Sequence, residues 1–493
     1  MSSIEERTAP AVRSSLVRSI FSFPAMLVAL LMVLAVLTLR DRFSDPDMWW
    51  HLRTGQVIWT THTIPQTDLF SWTTNHHAWV PHEWLSQVII YGAYRFGGYS
   101  GLMLFLCVAT GALLIGGYLL CTLYSSNAKV ALVGALVIWF FATSGLAIRP
   151  QMIGYLLLIA ELIIFHLATK QNPRWFLCLP LLFALWVNCH GSFFLGIVVG
   201  WLLYACSFFR FQMVGFRAAG WSARARHTCA IALILSVIAL FLNPVGYRQV
   251  LYPLQTMLAP NLGVIQEFAP LALTSPRGVG FLAVLVAIAL LMIYGAELYW
   301  HEVALIVAGT WLAISHTRMV FVFGILAAPI LCRLLSPKWD RYELERDLPV
   351  ANGLIMVAGL AIAVAGFPSR SSLYAQVRKR NPEGAVDYIK THAFSGHMLN
   401  EWTQGGYLVW ALPEHPDFVD GRGDVFAESG VLADYASWAE LNADPRSLLD
   451  KYHIDFCLLS RNSPMSHVMP LLPAWRMAYA DDIAIVFVHD RAH

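Results

Sequence analysis

Apolar residues in this chain run in long blocks rather than alternating with polar ones. Phe21–Leu39, Val130–Ile148 and Val279–Tyr294 are examples. A helix needs roughly 20 apolar residues to cross a bilayer core. The pattern predicts spans near 20–39, 101–123, 130–147, 152–169, 175–188, 193–209, 228–243, 279–296, 302–315, 319–335 and 351–367. Segment 84–97 is apolar but short and carries Arg95, which predicts an interfacial or packed helix instead. Arg7, Arg13 and Arg18 precede the first block, and no small-residue cleavage site follows them. That block reads as a retained span, not a cleaved signal peptide. From residue 370 the pattern becomes mixed, predicting a soluble α/β segment over 368–493. Pro382 opens a helix signal; β-like runs stand at 417–420, 454–459 and 483–488, and helical ones at 428–439 and 445–452.

Composition removes the soluble alternative. Of 493 residues 57% are hydrophobic and 13% charged, against about 25% charged in soluble proteins. Mean hydropathy is +0.57. The expected fold class is therefore a polytopic α-helical membrane protein of about 11 transmembrane helices with a C-terminal soluble α/β domain. The net charge of +2 leaves no nucleic-acid footprint. Eight cysteines without metal-binding spacing predict no disulfide framework. Placement of the basic residues sets the orientation. With residues 1–19 cytoplasmic, loop 210–227 falls inside with Arg210, Arg217, Arg224 and Arg226 and no acid. Eleven spans then put the first loop (40–84), the Arg149 turn, the 244–278 loop, the His316–Arg318 turn and the C-terminal segment outside, on the periplasmic or extracellular face of a plasma (inner) membrane.

The outer features concentrate the chemistry. The first loop reads FSDPDMWWHLRTGQVIW, PQTDLFSW and HHAWVPHEWL, dense in Asp, His and Trp. Long loops of this kind are usually functional. Asp45 and Asp47 follow the first span; a carboxylate there can act as general base or hold a divalent cation, magnesium or manganese, against a phosphate. Either can equally cap a helix starting near Met48. His82 and Glu83 offer a second acid–base pair in the same loop, or ordinary capping. Asn188 and His190 interrupt an apolar run at a tight turn, marking a cavity or an interface. Arg149 and Arg318 stand at outer ends of spans, placed for phosphate clamping or for snorkelling to headgroups. The loop tryptophans suit sugar stacking and an interfacial belt alike.

Three motifs resemble a known family. Asp47-Met-Trp-Trp-His51-Leu-Arg53 is similar to the Asp-Pro-Trp-Tyr-His-Leu-Arg type of motif in oligosaccharyltransferase catalytic subunits, membrane glycosyltransferases of the GT-C fold. Ser315-His-Thr-Arg318-Met-Val resembles their Arg-Met-Val segment near the donor pyrophosphate. Asn400-Glu-Trp402-Thr-Gln-Gly405-Gly406-Tyr407, followed by Asp420-Gly-Arg-Gly-Asp424, occupies the place of their Trp-Trp-Asp-Tyr-Gly motif. The chain also resembles bacterial membrane proteins of unassigned role that share the first loop, the Trp-Val-Asn-x-His-Gly stretch and the C-terminal segment. The resemblance implies a GT-C-like membrane domain over 20–367, catalysis at Asp47 with Asp45 as second candidate, and donor binding by Arg318 and by His51 and Arg53 of the first motif; the residues themselves add Glu83 as a further catalytic candidate and Arg149, His82 and His190 as phosphate or substrate ligands. Trp402, Tyr407 and Asp420 would face the acceptor. Two departures matter: the second Trp and the Asp of the acceptor motif are not reproduced, and the 146–151 turn has no acid for the family's metal motif. They argue against N-linked protein glycosylation and leave the cation open.

The expected function is sugar transfer from a polyprenyl-(pyro)phosphate donor to an envelope polysaccharide, lipid or protein. A lipid or sugar transporter would carry ionisable residues near the midplane and repeated halves. A non-catalytic envelope assembly protein would need neither the paired Asp nor the Arg.

Overall fold

The computed structural model describes residues 18–258, 269–343, 346–392 and 394–490. Most of the 1–19 segment, and residues 259–268 of the 244–278 loop, lie outside the described residues. The helices of the first part are α1 (Phe23–Leu39), α2 (Met48–Thr61), α3 (Trp84–Ser125), α4 (Ala128–Ala142), α5 (Gln151–Lys170), α6 (Leu179–Cys189), α7 (Phe193–Cys206) and α8 (Ala223–Ala239). They continue as α9 (Tyr247–Leu258), α10 (Pro276–Ile293), α11 (Trp300–Ser315), α12 (Val320–Leu335) and α13 (Pro349–Gly366). Among the described residues five helices are long and apolar enough to cross a membrane: α3, α5, α10, the 317–338 segment containing α12, and α13. Five shorter apolar helices accompany them. Each expected span coincides with a helix. Ser22 shows how the boundaries are set, its hydroxyl accepting the Ala25 N–H at the start of α1.

The apolar core runs through α1, α3, α4, α5, α6 and α12. α3 is its hub, packing on α1, α2, α4, α5 and α12. The segment 84–97 is a helix, as expected, and continues into the following span across a break at Gly98 (φ 56°, ψ −143°). Only glycine takes that conformation without strain. The break lets 84–97 lie against α2 while the remainder enters the bundle. A small sheet of β1 (Phe211–Met213), β2 (Phe216–Ala218) and β3 (Leu298–Tyr299) joins two loops expected on one side.

The last part carries α14 (Arg370–Arg380), α15 (Glu383–Thr391), α16 (Trp402–Ala411), α17 (Gly423–Ser429), α18 (Val431–Ala439), α19 (Pro445–Lys451) and α20 (Pro464–Val468). Its strands β4 (His397–Asn400), β5 (Ile454–Ser460), β6 (Trp475–Ala480) and β7 (Ala484–His489) form a sheet ordered β4-β5-β7-β6, with β4 parallel to β5 and the other pairs antiparallel. The expected strand at 417–420 is not one. It is an extended run whose partners are the first loop, through Trp72 N–H to Asp417 O and Asp417 N–H to Phe70 O, both 3.1 Å, and the Asn400 amide, which takes the Phe418 N–H and gives to Val419 O. The helix expected over 428–439 is split at Gly430 (φ 80°). Trp50, Phe70 and Trp79 of the first loop share one core with Leu399, Phe418, Phe426 and Trp438. Loop and sheet segment pack as one body of side chains.

Candidate active site

Asp47 stands at the N-cap of α2, yet its carboxylate makes no capping bond. It turns to Arg149, Oδ2 to Nη1, at 3.0 Å. Asp45 takes the other edge of the same guanidinium, 2.8 Å from Nε and 3.0 Å from Nη2, and accepts the Asp47 N–H at 3.0 Å. One permanently charged fork therefore holds two carboxylates side by side. The Asp47 side chain is 23% exposed and that of Asp45 16%, which leaves Asp47 the more open. Gly421 closes the other flank, where an added Cβ would sit 2.1 Å from Asp47 Oδ1.

His51 follows Asp47 by four residues, one helical turn, and shares its face. α2 crosses the start of α3 at Gly55, where a Cβ would lie 2.1 Å from Gln87 O. This close approach brings His51, one turn before Gly55, against Gln87 at the crossing and Glu83 one turn before it. The Glu83 carboxylate receives three imidazoles: His190 Nε2 at 3.2 Å, His82 Nε2 at 3.6 Å and His51 Nδ1 at 3.7 Å. The Ser192 N–H donates to His190 Nδ1 at 3.0 Å, so that ring carries its proton on Nε2, aimed at Glu83.

Burial opposes charge on Glu83, but the field of His82 and a hydrogen bond from it, with His190 and His51, hold its carboxyl down at about 2. Burial depresses His51 to about 3 and His190 to about 4, keeping both neutral. His82 is opposed by burial too, yet Glu83 beside it raises its value. The cluster thus holds a charged Glu83, two neutral imidazoles, and His82, which Glu83 draws toward its protonated form. His51 also feels Asp45 and Arg149, which ties the two clusters into one site.

Arg318 lies in the Thr317–Met319 turn between α11 and α12, anchored where the Thr317 N–H meets Ala269 O at 2.8 Å. Its charge acts on His190. Arg53 does not join. Six residues beyond Asp47 it points round the helix, bonds Gln56 Oε1 at 2.6 Å and lines a separate cavity with Phe70, Leu412 and His415.

Of the three acceptor-side candidates Tyr407 and Asp420 are buried and Trp402 is half-buried. Tyr407 meets Trp49 edge-on at 5.1 Å and fastens α16 to α2. Trp402 gives its N–H to the Tyr435 hydroxyl at 2.9 Å. Asp420 is fully buried, sharing Arg422 with Asp68 at 2.7 and 2.6 Å. Sequence reasoning assigned no role to Asp68, Arg422, Tyr252 or Asp424. Tyr252 stacks on His82 at 3.8 Å, and Asp424 acts on both. The DGRGD run was the available signal for Asp424; Tyr252 has none. A divalent cation needs several oxygen or nitrogen donors. Arg149 already takes both carboxylates, and among the described residues no group of three His, Cys, Asp or Glu is set to hold a metal. The Asp45–Asp47 pair does not fit one.

No protein-family model matches the chain, and no curated protein matches its sequence. Solved structures do. An oligosaccharyltransferase from Archaeoglobus fulgidus, tethered with an acceptor peptide, superposes with a TM-score of 0.54 at 13% identity, over 90% of this chain and 70% of that one. ArnT from Cupriavidus metallidurans, in the apo state, gives 0.52 at 12% identity over 97% and 98% of the two chains. The arabinofuranosyltransferase AftD from mycobacteria gives 0.52 at 13% identity over 94% of this chain and 40% of its own. At these identities the likeness is one of architecture. The chain has the GT-C fold of the membrane glycosyltransferases.

Proposed function

We propose that this protein transfers a sugar from a polyprenyl-phosphate or polyprenyl-pyrophosphate donor to an acceptor hydroxyl of the cell envelope, at the outer leaflet of a plasma membrane that it crosses eleven times. The observation that carries the reading is the paired carboxylate of Asp45 and Asp47 on Arg149, set beside the Glu83 cluster in a GT-C fold. One similar structure, ArnT, was solved bound to undecaprenyl phosphate, which supports a lipid-phosphate substrate.

Asp47 is the general base. Asp45 is chelated by Nε and Nη2 of Arg149, whereas Asp47 meets Nη1 and is more exposed. Asp47 takes the proton of the acceptor hydroxyl as its oxygen attacks the anomeric carbon. The bond from that carbon to the donor phosphate oxygen breaks, and the oxygen keeps the electron pair. One displacement inverts the anomeric centre. Arg149 faces its nitrogens to the carboxylates and acts by positioning; Arg318, whose charge reaches His190, receives the charge growing on the phosphate. Glu83 and the Ser192 N–H fix the orientation of His190.

Purified protein in nanodiscs, supplied with a labelled polyprenyl-phosphate sugar and an envelope extract, tests the reading. Asp47→Asn keeps shape but takes no proton, and should lower kcat by a factor of about 100 or more, the usual worth of a general base, with unchanged melting temperature. Full activity in Asp47→Asn removes the mechanism.

A further inference from the structure

A groove opens on the bundle's flank between α4 and α10, lined by Val133, Leu136, Val137, Phe140, Gly280 and Val284. Its volume is about 360 Å³. The two helices meet where Gly280 faces the ring of Phe140, and a Cβ there would lie 2.3 Å from the ring. The absent side chain keeps the groove open. Around it Leu136, Val279, Leu282 and Val286 are exposed, so the groove faces what surrounds the bundle.

At one end of the groove the chemistry changes. Arg277 stands one turn before Gly280, half-buried, and its Nε is buried without a hydrogen-bond partner. Its guanidinium lies in the field of Arg42. Arg42 bonds the carbonyl of Thr143, three residues after Phe140. Arg42 also precedes Asp45 by three residues, and Thr143 precedes Arg149 by six. The segments joined by Arg42 are thus the two that Arg149 joins through Asp45. The groove's charged end and the Asp45–Asp47 pair share one rim of the bundle.

We propose that this groove is a binding site for a single-chain lipid phosphomonoester, its phosphate held between Arg42 and Arg277 and its hydrocarbon laid along α4 and α10. Two like charges brought together beside an unpartnered donor call for an anion, and two guanidiniums match a phosphomonoester, whose charge is about −1.5 to −2 at neutral pH. A phospholipid diester carries one charge and two tails. A groove of about 360 Å³ takes a short run of hydrocarbon rather than two tails side by side. That is one chain, with the remainder running out into the bilayer.

The inference rests on the proposed reading in one respect. A polyprenyl-phosphate sugar is a diester, and only after transfer does its carrier become a monoester. The site then holds the spent carrier after it has left Arg318, on the rim it shares with the carboxylates. Its occupant is the product of this reaction and the substrate of whatever reaction class re-glycosylates or dephosphorylates a polyprenyl phosphate.

The test uses the full-length protein in nanodiscs with a polyprenyl monophosphate bearing a photoreactive group midway along its chain. Wild type should label on α4 or α10, and unlabelled polyprenyl monophosphate, but not phosphatidylglycerol, should compete. Arg42→Gln with Arg277→Gln should cut labelling about tenfold or more, since each lost charge-assisted contact is worth about a decade. Leu136→Trp, on an exposed wall, should block labelling while leaving both arginines in place. Asp47→Asn should label as wild type, because binding needs no proton transfer; if that variant is active in the sugar assay while the groove still labels, only the catalytic reading fails. Labelling that both the arginine pair and Leu136→Trp leave intact, or that phosphatidylglycerol abolishes, overturns the site.

Discussion

Glu83 keeps a charge where burial alone would remove it, and the three imidazoles around it divide the cost unequally. His51 and His190 stay neutral, held down at about 3 and about 4 by burial, and His82 is raised by Glu83. Each shift has a sign in stability. His51 and His190 take protons in the unfolded chain near the ordinary histidine value of 6.5, and in the folded one only far lower. Stability therefore falls as pH drops from about 6.5 toward 4, by roughly 1.4 kcal/mol per pH unit for each proton taken up by the unfolded state alone. Glu83, at about 2 when folded, extends the loss below its ordinary range. His82 works oppositely: its contribution is complete below 6.5 and fades as pH rises through its raised value. Melting temperatures in detergent at pH 4.5, 5.5, 6.5 and 7.5 should fall steeply on the acid side, and His190→Gln should flatten that slope. A profile level from 4.5 to 6.5 would contradict neutral imidazoles.

Among elements, one buried charge is added to the backbone bonds and the apolar core that hold the first loop on the sheet segment. Arg422, 2% exposed, bonds Asp420 and Asp68 and the Ser71 hydroxyl, and lies over the rings of Phe70 and Trp79. Breaking a buried pair from one side leaves an uncompensated charge, at about 3–5 kcal/mol. Arg422→Met should lower the melting temperature by several degrees and expose the first loop to limited proteolysis, while Arg378→Met, at an exposed pair with Glu383, should do neither. An Arg422→Met protein as protease-resistant as wild type would mean that the loop is held by its apolar core instead. This seam also marks what the sequence reveals. Asp47 and His51 are one turn apart, so their common face is legible without any structure. Arg149 is legible as an isolated Arg at a span end, but not its partners, because nothing local links residue 149 to residue 45. The 417–420 run reads as a strand because Phe418 and Val419 favour extended backbone; that its partners are a loop and the Asn400 amide depends on packing that no local pattern carries, as with Asp68 and Arg422, 354 residues apart. Asp420 looks accessible in a Gly-rich run and is buried for the same reason.

For the whole molecule, two sets of contacts separate by end. Asp45 with Arg149, Glu83 with His190, and Thr317 with Ala269 gather at one. At the other, β2 of the 210–227 loop pairs with β3 of the 297–301 loop, and Lys170 and Arg333 sit over the Tyr299 ring. The basic loop lies wholly in the second set, which the positive-inside rule assigns to the cytoplasm. A shared catalytic rim requires the first set to lie together on the opposite face. In a Cys178→Ser background, which removes an exposed native thiol, single cysteines at His76, Asn442 and Val214 read this directly. His76 and Asn442 are exposed, and Val214 at the hairpin tip is 99% exposed. A membrane-impermeant maleimide should label positions 76 and 442 in intact cells, and position 214 only after the membrane is opened. Labelling of 214 together with 76 would place the arginine-rich hairpin and the paired carboxylates on one face. The outer-leaflet reaction, and the route by which a lipid carrier reaches Asp47, would then fall together.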